Sequence, residues 1–122
     1  MLNRINIFLF SILPISLIVG NLLINLNIIL INLLMLFVSF KNNNWQWINN
    51  KFFKILLLLY CYLVLNSIYN YLTDNSLGLD GIYRSLSFLK FILLVFAFNV
   101  LLKEKNNFDK IIKFWLIIIS IV

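Results

Sequence analysis

The sequence predicts an all-α fold, a polytopic transmembrane helix bundle with four full spans and a truncated fifth. Three observations predict it. Hydrophobic residues make up 63% of the chain and charged residues only 11%, against ~45–50% and ~25% in soluble domains. The apolar residues fall in runs long enough to cross a bilayer, which takes ~20 residues of helix. Most charges sit between those runs or at their edges, and their sign alternates along the chain. A chain of 122 residues has too little interior to hide this much apolar surface, so lipid is the expected solvent for most side chains. The whole of 1–122 reads as a single transmembrane domain.

The first apolar stretch runs from Ile5 to Phe40. As one helix it would measure about 54 Å, well beyond the ~30 Å hydrocarbon core. A break is therefore required, and Gly20-Asn21 is the pair suited to it. This gives a first span over 5–19, with Pro14 as a kink, and a second over 22–40. A cleaved signal peptide competes for Met1–Gly20, because Arg4 precedes a short apolar core. Against it, no small-x-small site follows and the apolar pattern resumes at Leu22.

A polar connector from Lys41 to Lys51 carries Trp45 and Trp47, whose apolar bodies and polar N–H groups suit a membrane interface. A third span covers 52–72. The connector Thr73–Gly81 is built of turn formers, and Asp80 is placed to cap the next helix. A fourth span covers 82–102, a charged loop follows over Lys103–Lys110, and a fifth apolar run occupies 111–122. That run reaches only about 18 Å as a helix, which is short of a crossing. It reads as a span cut off in mid-helix, so that the chain is the N-terminal part of a longer protein; a short interfacial or re-entrant segment is the other reading.

Charge sets the expected orientation. The loop after the second span, with its edge, carries Lys41, Lys51 and Lys54 and no acid. The next carries Asp74 and Asp80, with Arg84 just beyond. The third carries Lys103, Lys105, Lys110 and Lys113 against Glu104 and Asp109. The positive-inside rule then puts the N-terminus with Arg4 in the cytoplasm and Thr73–Gly81 outside. The same distribution argues against nucleic acid as a partner, despite a net charge of +6, because the basic residues flank spans and form no patch on a soluble domain.

Several chemistries are excluded or weakened. Cys61 is the single cysteine, which rules out an intrachain disulfide and a cysteine-rich metal site; inside an apolar run it reads as a small core residue. There is no histidine, so the commonest general base and metal ligand is missing from the chain. No Gly-rich phosphate loop, HExxH or GxxxG pattern and no internal repeat is present. Asp74 and Asp80 form a conceivable acid/base pair, but a turn-rich loop uses Asp for backbone reasons.

Polar side chains recur at helical spacing: Asn25, Asn32 and Ser39 on the second span, Tyr62, Asn66 and Asn70 on the third, Ser85 and Asn99 on the fourth. They read either as interhelical hydrogen bonds, worth about 0.6 kcal/mol each, or as the lining of a substrate groove. The former is favoured because Asn is spread widely through the chain. Arg84 and Lys90 are the candidate site residues, because a cation inside a span costs a few kcal/mol and marks function by default. Arg84 lies within a turn of the outer end, with Lys90 about 9 Å deeper. Both suit a phosphate or pyrophosphate, Arg84 through its planar fork. Snorkelling to the outer headgroups is the alternative for each.

Three stretches together resemble the N-terminal portion of the O-antigen ligase/O-antigen polymerase family of bacterial membrane proteins. They are Phe10–Asn21 leading to Asn25–Leu30, the basic Trp-containing connector, and Tyr83-Arg-Ser-Leu-Ser-Phe-Leu-Lys-Phe-Ile-Leu93. The match spans the whole chain but about the first third of such a protein. The resemblance implies a multi-pass protein of the bacterial inner membrane that acts in lipopolysaccharide or polysaccharide biosynthesis. It implies glycan transfer at the periplasmic face from an undecaprenyl-pyrophosphate-linked donor, without metal or nucleotide cofactor. Arg84 matches the family's motif arginine, whereas Lys90 stands where a second arginine is usual. The family's large outer loop, with its functional residues, would lie beyond Val122, so no catalytic residue is assigned and no activity is expected of this chain alone. Two other classes remain open: a transporter or flippase component, and a small noncatalytic membrane subunit that works with a partner.

Overall fold

The computed structural model describes residues 2–73, 79–103 and 105–122. All regular structure among them is helical: α1 (Leu2–Val19), α2 (Asn21–Lys41), α3 (Lys51–Thr73), α4 (Asp80–Ser87), α5 (Leu89–Leu101) and α6 (Lys105–Ile121). Three stretches are long and apolar enough to cross a membrane: Asn21–Lys41, Lys51–Thr73 and the nearly continuous Asp80–Leu101, of 21, 23 and 22 residues. At 1.5 Å per residue these measure about 31–35 Å. The helix α1 is apolar but shorter, and α6 has 17 residues, about 25 Å.

The described residues group into two compact units, Met1–Asn44 with Leu94–Val122, and Trp45–Leu93. In the first unit α1 and α2 form an antiparallel hairpin about Gly20. Its φ of 139° and ψ of 171° lie in a region that is essentially glycine's alone. A Cβ there would meet nothing within 4 Å, so the requirement is conformational and not one of space. The Asn27 side-chain amide donates to the Leu9 carbonyl across the hairpin at 3.2 Å. On α2 the buried residues Asn27, Ile28, Ile31, Asn32, Met35 and Ser39 recur at three- and four-residue steps and so form one stripe. On α1 the matching stripe is Asn6, Phe10, Leu13 and Ser16.

Pro14 explains a further contact. Lacking an N–H, it cannot bond the carbonyl four residues back, which is that of Phe10. In an apolar surrounding an orphan carbonyl is costly, and a neighbouring helix commonly satisfies it. Here the Trp115 indole N–H of α6 donates to the Phe10 carbonyl at 2.8 Å. The same indole meets the Phe98 ring edge-on at 6.3 Å, and Phe98 stacks at a tilt on Phe10 at 4.6 Å. Nearer the start of each helix, Asn6 and Asn107 border one cavity, so α6 runs parallel to α1.

The C-terminus of α2 is closed by a Schellman motif. The Asn44 N–H bonds the Ser39 carbonyl at 3.1 Å and the Asn43 N–H that of Phe40 at 3.3 Å. Asn43 takes the left-handed conformation this requires, with φ 48°, and Asn tolerates it better than most side chains.

The second unit is thinner. The Asn50 side chain caps α3 by accepting from the Phe52 N–H at 3.1 Å, and the Trp47 ring meets Phe53 edge-on at 5.3 Å. Phe53 is the buried residue of α3. Its neighbour is α4, and Ser67 and Ser85 join the two through their hydroxyls at 2.9 Å. Each also lies 2.8 Å from a carbonyl of its own helix, Val64 and Ile82 respectively. A hydroxyl has one proton, so one serine donates to its own helix while the other donates across.

Some boundaries differ from the sequence expectation. The expected fourth span is interrupted at Phe88, where the Phe88 N–H bonds the Ser85 carbonyl, a three-residue step, and the Phe91 N–H that of Phe88. The expected charged loop Lys103–Lys110 is mostly helix, because α6 starts at Lys105; its polar residues extend the helix of the apolar run that follows. Asp80 does not cap α4. The cap position is Leu79, with no side-chain hydrogen bond, and Asp80 lies in the first helical turn, where a carboxylate favours the helix dipole.

Candidate functional site

The Arg84–Lys90 segment is placed by the hairpin of α3 and α4. Ser85, pinned to Ser67, fixes the rotation of α4, and Arg84, its neighbour in the last turn, is left exposed. Lys90 opens α5 and is half-buried, with Nζ 5.1 Å from the centroid of the Phe91 ring, within cation–π range. At 1.5 Å of rise per residue the two cations stand about 9 Å apart along the segment, and the tightened turn at Phe88 lies between them. They are two cations on one segment, one exposed and one half-buried.

The expected polar faces divide by unit. On α2, Asn32 and Ser39 are buried and Asn25 half-buried, so this stripe lies on the packed side of the helix. On α3, Tyr62, Asn66 and Asn70 are all exposed, Tyr62 at 64%. The bond of α3 to its neighbour is made by Ser67 instead, a residue whose place on the third span carried no periodic signal. On the fourth span Ser85 is engaged and Asn99 exposed; their shared face presumes an unbroken helix, which Phe88 interrupts. Cys61 is exposed, because α3 packs through few of its residues. Asp74 falls outside the described residues.

Among the residues that sequence reasoning passed over, Trp115 had a legible signal. Pro14 strands a carbonyl in an apolar helix, so a donor on another helix is required, and Trp115 carries an indole N–H within the apolar run of α6. Among the described residues no three potential metal ligands come together. No family model, no curated protein and no solved structure matches this chain. The fold itself defines an all-helical protein whose apolar helices suit lipid contact.

Proposed function

We propose that this chain is the N-terminal membrane part of a bacterial O-antigen polymerase or ligase, which transfers glycan from an undecaprenyl-pyrophosphate-linked donor at the periplasmic face of the inner membrane. Arg84 carries the reading. It is a guanidinium left exposed at one end of a 22-residue apolar stretch, in the segment Tyr83–Leu93 that resembles the family. Such a group binds phosphate oxygens in pairs where lipid headgroups begin. Lys90 adds a second cation deeper along the same segment, and the catalytic groups come from the rest of the enzyme.

The span count belongs to this proposal: α1, α2, α3 and Asp80–Leu101 cross in turn, and α6 begins the fifth. Two features support it. α6 runs parallel to α1, as the first and fifth of an alternating series must, and the basic connectors then share the cytoplasmic side with the N-terminus.

The test is glycan elongation by the gene product that contains this chain, in a host that supplies the lipid-linked donor. Arg84→Gln should lower turnover about tenfold or more, with Arg84→Lys intermediate because it keeps charge but not the fork. Unchanged products from Arg84→Gln and from an Arg84→Gln/Lys90→Gln double variant would remove the proposal. A component of a transport path or of a larger membrane complex is the second reading. The exposed Tyr62, Asn66 and Asn70 favour it, because polar side chains in a span mark a face turned to protein or water.

A further inference from the structure

At the end of the first unit remote from Gly20, the start of α1, the end of α2, the end of α5 and the start of α6 surround a cavity of about 330 Å³. That is the lower range of small-ligand sites. Two of its lining residues are cations, Lys41 and Lys103, and none of its described lining residues is acidic. Two helix N-termini, those of α1 and α6, point the positive ends of their dipoles the same way. The apolar part of the wall is Val38, Val100 and Leu101, so the cavity stands where the apolar helices give way to polar chain.

Asn6 sets the site apart from a basic surface. It lines the cavity, is only 5% exposed, and its Oδ1 meets no hydrogen-bond donor among the described residues. A buried amide oxygen left without a donor is costly. The lysines therefore ask for an anion and Asn6 asks for a donor, and a single group answers both: a phosphate ester with a free hydroxyl beside it. An ammonium-bearing ester would also offer donors, but it would stand against two lysines. The Schellman turn at Asn43 is what brings Asn42 and Asn44 back to the rim beside Lys41.

We propose that this cavity binds a hydroxyl-bearing phosphate ester of the phosphoglycerol type, its phosphate between Lys41 and Lys103 and its hydroxyl on Asn6 Oδ1. The chemistry is shared by the headgroup of an anionic lipid and by a free polyol phosphate, and the site needs neither the glycan proposal nor its orientation.

The test uses the full chain in detergent, with retained lipid counted by native mass spectrometry and stability followed by thermal melting. The probes are phosphatidylglycerol, phosphatidylcholine and phosphatidylethanolamine, with soluble glycerol phosphate as competitor. Phosphatidylglycerol should bind about tenfold more tightly than either zwitterionic lipid. A Lys41→Gln/Lys103→Gln variant, both positions exposed, should abolish that preference without changing helix content. Asn6→Leu should lower the preference for phosphatidylglycerol over a further probe, phosphatidic acid at a pH where its phosphate is fully ionised and which has no alcohol hydroxyl in its headgroup, by about threefold. Displacement by glycerol phosphate at similar concentration would assign the site to a soluble ligand, and failure to displace would assign it to lipid; both outcomes keep the proposal. Equal binding of all three lipids with no binding of glycerol phosphate, or a preference that survives the double lysine variant, overturns it and leaves Asn6 to an internal water.

Discussion

The two units of the molecule handle the same kind of sequence in opposite ways. In the first, apolar and polar groups are turned inward together: Phe10, Phe96, Ile31 and Met35 are buried beside Asn27, Asn32, Ser16 and Ser39. In the second, α3 buries Phe53 and leaves Leu58, Leu65, Tyr62 and Tyr69 exposed. The difference is not one of hydrophobicity, because both units contain stretches apolar enough to cross a membrane. It lies in where the hydrogen-bonding groups find partners. Where lipid is the solvent, apolar burial drives little and polar satisfaction with close packing decides which helices hold together. The first unit has such bonds across helices, from Asn27 to Leu9 and from Trp115 to Phe10; the second has the serine pair.

The comparison predicts that side-chain truncation is costly in one unit and almost free in the other. Phe96, 1% exposed, should lose about 2 kcal/mol on replacement by Ala, from the cavity left in the packing. Leu58, 72% exposed on α3, should lose less than about 0.5 kcal/mol. Thermal denaturation in one detergent measures both, and equal losses would mean that the exposed face of α3 is covered in the protein as isolated.

The Trp115–Phe10 bond offers a sharper test. Trp115→Phe keeps most of the ring but strands the Phe10 carbonyl, at a cost of about 1–3 kcal/mol. Pro14→Ala supplies the missing N–H within α1, so the same Trp115 change should cost much less in that background. The double-mutant cycle reads the coupling directly. Additive losses would show that Trp115 acts through packing on Phe98 alone.

Two smaller effects follow. Asn43→Val forces a β-branched side chain into the left-handed region, for about 1–2 kcal/mol, whereas Asn43→Gly should be neutral or slightly stabilising. Ser67→Ala and Ser85→Ala should each cost about 0.6 kcal/mol, the usual worth of a polar contact between membrane helices, and together little more than either alone because they share one bond. A large loss from either serine would show that the second unit depends on that contact far more than its thin packing implies.

Local features were legible where one residue's chemistry admits one outcome. Gly20 marked the break between α1 and α2, and runs of apolar residues marked the helices. The stripe of Asn25, Asn32 and Ser39 was legible as an inward face because its seven-residue spacing stays on one side of a continuous helix. The same reasoning failed for Ser85 and Asn99, since Phe88 interrupts the helix and nothing in a Ser-Phe-Leu sequence announces a tightened turn. It failed for Tyr62, Asn66 and Asn70 because periodicity shows which residues share a face and not whether another helix lies against it. Of the candidate site, Arg84 and Lys90 were found from the cost of charge in an apolar run. The tightened turn at Phe88 that lies between them appears only in the folded chain.

What the sequence determined by itself is the solvent and the segmentation: an excess of apolar residues that lipid suits, cut into helices by Gly20, by the amide-rich connector at Lys41–Lys51 and by the polar residues before α6. These are sums over residues and strictly local conformations, and they need no knowledge of neighbours. The tertiary structure decided which polar groups meet. That the carbonyl freed by Pro14 finds the indole of Trp115, 105 residues apart in the chain, or that Asn6 shares a cavity with Lys41 and Lys103, depends on how helices align. Alignment is set by packing between side chains distant in sequence, and no local pattern carries that information.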